Sequence, residues 1–177
     1  MSPYSNRENF LRILWAVADF ILFRLSPRPF YGWRNTVLRI FGATIGKQVK
    51  IYPSARIMFP WMLKVDDRVV ISWEVTVYNL GLIDIGADTV ISQNVHLCGG
   101  THDYLSPQFT LLRTGLTVGR NVWIAADAFI SPGVNVGDNS IVAARSVVVK
   151  DVEQGTVTAG NPARVIKKID KPVRQLQ

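Results

Sequence analysis

Residues 118–153 read VGRNVW IAADAF ISPGVN VGDNSI VAARSV VVKDVE, which is six consecutive blocks of six residues. Every block begins with valine or isoleucine, and the next position is mostly a small or polar residue. A six-residue aliphatic period fits neither an α-helix, with its period of 3.6, nor one long strand, with its period of 2. It fits short strands joined by tight corners, each turning one large aliphatic side chain inward. Many such strands in sequence stack into a solenoid of parallel coils.

Three earlier runs of the same period lead back to residue 45. Their leading aliphatic residues are Ile45, Ile51 and Ile57, then Val65, Ile71 and Val77, and then Ile85, Ile91 and Leu97. The period slips by two residues between the first and second runs, and again between the second and third. The spacing from Leu97 to Val118 is not a multiple of six. We therefore predict that residues 103–116 form a loop that leaves the coil directly after His102.

Composition excludes several classes of protein. The 177 residues are 48% apolar and 19% charged, which is not typical of a disordered chain. No apolar run is long enough to predict a transmembrane span. The single Cys98 predicts neither an internal disulfide framework nor a multi-cysteine metal site. Because the first apolar run does not resemble a signal peptide, we expect a cytoplasmic protein. The net charge of +7 suits an anionic partner without identifying it.

The composition changes near residue 42. Residues 42–166 contain thirty valines or isoleucines, whereas residues 1–41 contain five of them and five of the eight phenylalanines. We predict an N-terminal helical extension over residues 1–41, a β-helix domain over residues 42–168 and a tail over residues 169–177.

The N-terminal extension should contain two helices. A capping box, Ser5-Asn6-Arg7-Glu8, predicts the start of the first helix, which should end at Ser26-Pro27-Arg28-Pro29. A second helix is expected from about Gly32 to Phe41. These helices can pack on the main domain or on a neighbouring subunit, or their apolar surface and arginines can bind a membrane peripherally. In either case we expect the β-helix to fold without them.

Several motifs between Thr117 and Lys168 are more specific than the period alone: VGRNVWI, ISPGVNVGDNS, SVVVKDV and AGNPARVIKK. With them the sequence resembles the hexapeptide-repeat acyltransferases, a family of left-handed parallel β-helix proteins. The branch it resembles is that of galactoside and maltose O-acetyltransferases. The segment LCGGTHDYLSPQF and the apolar N-terminal helices are similar to sugar acetyltransferases of exopolysaccharide biosynthesis of the colanic-acid type.

The resemblance implies an all-β, left-handed parallel β-helix in which three hexads complete a coil, so that residues three hexads apart stack. It also implies a homotrimer that transfers an acetyl group from acetyl-CoA to a hydroxyl of a sugar or glycan precursor. No metal is required, and no nucleic-acid partner is expected.

His102 is the candidate general base. Transfer of an acyl group from a thioester to an alcohol needs a base, and imidazole is suited to this near neutral pH. The family's general base is a histidine in this Thr-His context. A rival reading, a γ-class carbonic anhydrase, would need three histidines for zinc, and the chain has two. We therefore predict that His96 is a polar corner residue, and that Cys98 is a small packing residue.

The remaining candidates concern the two substrates. Asn79 and Glu74 are the predicted acceptor-binding residues. The family's coenzyme A contacts fall on Ala126, Ala144, Val149, Lys150 and Arg164. In the fold that the resemblance implies, the pairs Ala125-Ala126 and Ala143-Ala144 lie three hexads apart and should stack, and their small side chains would leave a shallow strip for a pantetheine arm. Trp123 is expected at an interface or in the wall of a groove.

Two other functions remain open from the sequence. The same base could serve an amine, which would make the protein an N-acetyltransferase of an amino sugar. A β-helix can also be a non-catalytic scaffold. The enzyme is expected in the cytoplasm, and at the inner face of the membrane if residues 1–41 bind lipid.

Overall fold

The computed structural model describes residues 5–169. The chain begins with two helices, α1 (Asn6–Ala18) and α2 (Tyr31–Ile40), and a π-helical segment (Asp19–Arg24) prolongs α1. The predicted capping box is confirmed, because the Ser5 hydroxyl accepts a hydrogen bond from the amide of Glu8 and the Glu8 carboxylate accepts one from the amide of Ser5. Two helices were therefore correctly predicted, with boundaries close to those expected.

Short strands follow, three to a coil. The first three coils comprise β1 (Thr44–Ile45), β2 (Lys50–Ile51), β3 (Arg56–Ile57), β4 (Leu63–Val65), β5 (Val70–Ile71), β6 (Thr76–Tyr78), β7 (Ile83–Ile85), β8 (Val90–Ile91) and β9 (His96–Cys98). An antiparallel hairpin of β10 (Thr101–His102) and β11 (Leu111–Leu112) then interrupts the solenoid. The later strands are β12 (Leu116–Val118), β13 (Trp123–Ile124), β14 (Phe129–Ile130), β15 (Asn135–Val136), β16 (Ile141–Val142), β17 (Val147–Val148), β18 (Thr156–Gly160) and β19 (Ala163–Lys168). A short 3-10 turn (Pro60–Met62) precedes β4.

Parallel pairing of equivalent strands builds three faces. The first face has the order β1-β4-β7-β12-β15, the second β2-β5-β8-β13-β16-β18, and the third β3-β6-β9-β14-β17. β19 folds back antiparallel on β18 and ends the second face. This is the parallel β-helix that the hexad period predicts. We call the turn from the second to the third face the second corner, and the turn from the third face into the next coil the third corner.

The register explains the irregular spacing of the sequence. Thr117 pairs with Asn135, which lies three hexads later, as one regular coil requires. In the first coils Thr44 pairs with Lys64, two positions beyond three hexads, which confirms the predicted slip. Asp84 pairs with Thr117 at a much larger sequence separation, because the hairpin lies between them.

The leading aliphatic residues face the interior. Those of the six hexads that begin at Val118 are all buried: Val118, Ile124, Ile130, Val136, Val142 and Val148. The corners hold residues that tolerate left-handed backbone, among them Asn121, Asp127 and Asn139, whose φ angles are 53°, 61° and 56°. Burial and corner chemistry together account for the fold.

The helices form a cap over the first coil. Trp15, Phe23, Val37 and Leu38 are buried in the same apolar core as the strands. This cap therefore belongs to the hydrophobic core and does not merely flank it. The expectation that the β-helix folds without residues 1–41 conflicts with this arrangement.

The cap also binds the free edge of the solenoid. In the second coil the carbonyls of Val65, Val69, Ile71 and Val77 accept hydrogen bonds from backbone amides of the first coil. The first coil has no preceding coil, and its equivalent carbonyls accept from side chains of the cap instead. The pairs are Arg39 with Ile45 at 2.8 Å, Asn35 with Val49 at 2.9 Å, Arg34 with Ile51 at 2.7 Å, and Trp15 with Ile57 at 2.8 Å. Four side chains thus replace the missing coil.

Candidate active site

The hairpin that follows the third coil carries His102. His102 pairs with Leu111 across the antiparallel ladder, outside the three faces. The predicted loop boundaries shift accordingly. His102 is already part of the hairpin, whereas Leu116 belongs to β12 and pairs with Ile83 on the first face. The hexad period shows where the coil is interrupted. It gives no information on strand pairing inside the loop, so the antiparallel hairpin could not be predicted from it.

Glycines fix the root of this hairpin. The carbonyl of Gly99 accepts hydrogen bonds from the amides of both Gly81 and Gly115, each at 3.0 Å. Gly115 has a φ of +67°, and a Cβ there would collide with the carbonyl oxygen of Leu82. Since only glycine fits, the point at which the hairpin leaves the solenoid is rigidly defined.

The imidazole of His102 is held on one side and exposed on the other. Its Nδ1 lies 2.8 Å from the carbonyl oxygen of Phe109, and the two rings stack with centroids 4.3 Å apart and planes at 10°. A carbonyl can only accept, so Nδ1 carries the hydrogen and the Nε2 lone pair of the neutral ring stays available. Phe109 has a φ of 47°, which is uncommon for a bulky residue and turns its carbonyl toward His102. The arrangement presents Nε2 as a proton acceptor at the protein surface.

Asn79, the first of the predicted acceptor-binding residues, is turned into the solenoid. It is completely buried, its Oδ1 accepts from the amide of Phe59 at 2.9 Å, and its Nδ2 donates to the carbonyl of Phe59. The side chain therefore joins the second coil to the first and presents no polar atom to a ligand. A corner asparagine can face outward or inward, and the sequence does not distinguish the two.

Glu74, the other predicted acceptor-binding residue, lies at a different corner from His102. It occupies the second corner of the second coil with a φ of 57°, and its carboxylate pairs with Arg56 at 3.3 Å. His102 instead follows the third face of the third coil. Within one chain these two residues are not brought together at one corner.

The predicted coenzyme contacts fall in two places. Ala126 and Ala144 stack at the second corner of successive coils, where the amide of Arg145 donates to the carbonyl of Ala126 at 2.9 Å. Across residues 5–169, the amides of these two alanines donate no hydrogen bond. Arg164 pairs with Ala159 at the adjoining edge of the second face. Val149 and Lys150 are exposed at the third corner of the fifth coil, on the opposite edge of the third face.

His96 and Cys98 are the remaining residues that the sequence singled out, and neither lies in a cluster of metal ligands. The prediction that His96 is a corner residue is wrong: it lies in β9, because the last residue of its hexad begins the next strand and faces outward. Its ring contacts Tyr78 and Phe129, with centroids at 6.2 and 5.2 Å, and burial lowers its pKa below the ordinary 6.5. Cys98 is half-buried and its thiol donates to the carbonyl of Gly100. In the part of the chain that the structure describes, no three His, Cys, Asp or Glu side chains cluster as metal ligands would.

Comparison with known proteins agrees with this geometry. The family model of the bacterial transferase hexapeptide, six repeats, matches residues 115–150. The putative colanic acid biosynthesis acetyltransferase WcaF of Escherichia coli K12 is 44% identical over 155 residues, covering 88% of this chain and 85% of that protein. The chain belongs to the hexapeptide-repeat acetyltransferases.

Solved structures of hexapeptide-repeat acetyltransferases show the same architecture. A maltose O-acetyltransferase from Clostridium difficile 630 superimposes with a TM-score of 0.85 at 27% identity, covering 94% of this chain and 90% of that one. A galactoside acetyltransferase solved in complex with coenzyme A gives a TM-score of 0.87 at 25% identity, covering 96% and 86% of the two chains. The branch that the sequence motifs indicate is thereby confirmed.

Two features of this hexapeptide-repeat acetyltransferase were missed by sequence reasoning. One is Phe109, whose link to His102 spans a segment without periodicity. The other is an ion pair between Arg113, just after β11, and Glu8 in the first turn of α1, at 2.9 Å. Burial acts to raise the pKa of Glu8, but hydrogen bonds from Arg113 and Ser5 outweigh it and leave that pKa lowered. The pair ties the hairpin root to the cap across 105 residues of sequence, where no local pattern can reveal it.

Proposed function

We propose that the protein is an acetyl-CoA-dependent O-acetyltransferase in which His102 is the general base. The observation that supports this most directly is the hydrogen bond from His102 Nδ1 to the Phe109 carbonyl. It selects the tautomer in which Nε2 can accept a proton, and ring stacking restricts the imidazole to one orientation. An acceptor hydroxyl within hydrogen-bond reach of Nε2 would be activated for attack.

The proposed reaction is direct transfer. As the acceptor oxygen attacks the thioester carbonyl, its proton passes to His102 Nε2. The tetrahedral intermediate then collapses with cleavage of the carbon–sulfur bond, and the imidazolium returns the proton to the departing thiolate. The products are the acetyl ester and coenzyme A, and His102 is neutral again. No covalent enzyme intermediate is needed.

The stacked alanines support a donor site along the second corner. The amides of Ala126 and Ala144 are free to bind the carbonyls of a pantetheine arm, and the methyl side chains let the arm approach the backbone. We place the coenzyme phosphates near Arg164 and Lys150, since guanidinium and ammonium groups suit phosphate oxygens. An amide at Ala126 would also suit the oxyanion of the tetrahedral intermediate.

The positions of these residues support a site shared between chains. Ala144 precedes β17 at the second corner and Val149 follows β17 at the third corner, so the two residues lie on opposite edges of the third face. A groove that meets both corners forms most simply when the second corner of one chain approaches the third corner of another. We therefore propose a homotrimer with its active sites between subunits.

The acceptor that we propose is a sugar or glycan precursor of exopolysaccharide synthesis. Its support is the similarity to a putative colanic acid biosynthesis acetyltransferase. The proposed place of action is the cytoplasm, because acetyl-CoA is an intracellular metabolite.

Release of free thiol from acetyl-CoA tests this function. Purified protein is incubated with panels of nucleotide-linked sugars, lipid-linked saccharides and amino sugars, and the products are analysed by mass spectrometry. We expect an acetyl ester, which mild alkali removes. Formation of an alkali-stable amide alone would favour the N-acetyltransferase, and no thiol release with any acceptor would favour a scaffold.

A further inference from the structure

The cap presents a continuous apolar surface to solvent. α1 and its π-helical extension bury Trp15, Ala18 and Phe23 against the first coil. On the other side of the same helix, six large apolar residues expose between 43% and 65% of their surface. They are Phe10, Ile13, Leu14, Val17, Phe20 and Ile21. A helix whose outer side is this apolar is not typical of a freely soluble surface.

No fully exposed charge interrupts this surface. Arg12 and Asp19 are the charged residues between Phe10 and Ile21, and both are partly buried. Arg12 lies over the ring of Phe59 at 5.6 Å, and Asp19 accepts a hydrogen bond from Arg24 at 2.6 Å. Both are therefore turned from the apolar side, toward the protein or toward a neighbouring charge.

The surface continues beyond the first helix. A groove there is lined almost wholly by apolar side chains of the π-helical segment, the connecting turn and α2. Its lining residues include Ile21, Leu22, Leu25, Pro27, Phe30 and Trp33. The Trp33 indole donates to the carbonyl of Leu22 at 2.7 Å, which joins the two helical segments into one surface. We call this whole area, from Phe10 to Trp33, the cap surface.

The charge of the cap indicates what covers the cap surface. Residues 5–41 contain six arginines but only one aspartate and one glutamate, an excess of four positive charges. Arg7 and Arg28 are exposed near it, and Arg24, which pairs with Asp19, is exposed between Leu22 and Leu25. Two such caps would repel each other, whereas an anionic bilayer would attract each of them. The cap surface carries Phe10, Phe20, Phe30 and Trp33, and an apolar aromatic side with basic residues beside it is typical of helices that lie in the membrane interface.

We propose that the cap surface docks on anionic phospholipid bilayers, with its apolar side chains inserted at the level of the headgroups. In the described part of the chain no helix combines the length and hydropathy that crossing a bilayer would require. The docking is thus interfacial. It involves residues separate from His102 and from the proposed donor strip, so it stands independently of the proposed acetyl transfer.

Vesicle flotation with the full chain tests the proposal. One set of vesicles is pure phosphatidylcholine and the other contains phosphatidylglycerol as well. We expect binding to the anionic set, weakened by salt. Ile13→Glu and, separately, Phe20→Glu should reduce that binding by about tenfold or more, since each buries a charge among the inserted apolar groups. Both residues are exposed, so the thermal transition of the variants should stay unchanged.

Ile166→Glu is the matched control. Ile166 lies on β19 and is exposed to the same 65% as Ile13, but it is remote from the cap. It should bind anionic vesicles as the wild type does. Failure of the folded wild type to bind anionic vesicles would overturn the proposal. So would a loss of vesicle binding in Ile166→Glu as large as in Ile13→Glu and Phe20→Glu. Unchanged vesicle binding by Ile13→Glu and Phe20→Glu, with a changed oligomeric state by light scattering, would assign the surface to contacts between copies instead.

Discussion

At the level of single residues, the pairing of His102 with Phe109 decides which imidazole nitrogen can act as a base. Phe109 adopts a left-handed backbone that costs a bulky residue free energy, and this conformation aims its carbonyl at Nδ1. The strained conformation is located at the residue that orients His102, the proposed base. Among residues 5–169, the hydrogen-bond partner of the His102 ring is thus a backbone carbonyl of its own hairpin and not a carboxylate.

Replacing His102 by alanine should abolish most of the transfer while leaving donor binding intact. Loss of a general base slows turnover by about 10²–10⁴-fold. His102 is exposed, so its truncation should leave little cavity. The measurement is turnover together with the dissociation constant for coenzyme A. His96→Ala is the control, and collapse of turnover there alone would reassign the base.

Replacing Phe109 by leucine tests orientation of the base apart from its presence. The backbone carbonyl remains, but the ring that stacks on His102 at 4.3 Å is lost. We expect turnover to fall by about tenfold, which is less than the fall expected when the base itself is removed. The KM for acetyl-CoA should not change. Phe109→Tyr keeps an aromatic ring and should restore turnover. An equal loss in both variants would contradict a role for stacking.

His96 should make stability depend on pH. Burial lowers its pKa below 6.5, so the unfolded chain takes up a proton more readily than the folded one. The free energy of unfolding should then be unaffected above pH 6.5 and should decrease as the pH falls from 6.5 toward the lowered value. Urea titrations on either side of the ordinary pKa measure this. In His96→Phe the decrease should be smaller, and an identical decrease would show that His96 contributes nothing.

At the level of elements, the cap completes the solenoid. A parallel β-helix has an open edge at each end, and exposed edges pair with other chains. Here side chains of α1 and α2 bind the carbonyls of the first coil, and at the other end β19 pairs antiparallel with β18 at the edge of the second face. Removal of residues 1–41 would therefore expose both the apolar core and the carbonyls of the first coil.

Arg34 is the residue by which to test the cap. It is completely buried, and it donates to the carbonyls of Ile51, Pro27 and Arg28 and to the hydroxyl of Ser26. Arg34→Met fills similar space but leaves these acceptors unpaired, which should cost about 3 kcal/mol or more of unfolding free energy. Urea unfolding at fixed protein concentration measures it. Arg7→Met, at an exposed site, should change stability by about 0.5 kcal/mol at most. Equal stability of the two variants would contradict the capping role.

The sequence predicted the coils well because their cause is local. A large aliphatic residue must face the narrow interior once in every hexad, so the period and its slips record the register directly. The cap contacts are not local: Trp15 reaches Ile57 across 42 residues, and nothing periodic links them. The burial of Asn79 could not be predicted for a related reason, because a polar residue at a coil turn can form hydrogen bonds either with water or with a neighbouring coil. His102 was found through its motif, whereas its partner Phe109 depends on the fold of a hairpin without periodicity.

At the level of the whole molecule, assembly should decide whether the site is complete. Light scattering is expected to give the mass of a homotrimer, since the residues proposed for the donor lie on two edges of one face. Dilution below the dissociation range should abolish activity together with the trimer. A stable monomer with full activity would contradict a site shared between chains.

The number of coils between the cap and the hairpin sets the axial position of His102 in discrete steps. The cap covers the first coil, and the hairpin leaves the third, so the coils that they adjoin are two coil spacings, about 10 Å, apart. Inserting or deleting one coil between them would move His102 by about 4.8 Å along the axis and leave it at the same corner. If the cap rests on lipid, the distance from the bilayer to the hydroxyl that is acetylated therefore changes by one coil spacing for each coil added or removed. A lineage, or an engineer, could match the enzyme to an acceptor held farther from the bilayer by adding a repeat, with loss of the Glu8–Arg113 ion pair that joins the cap to the hairpin root at the present length.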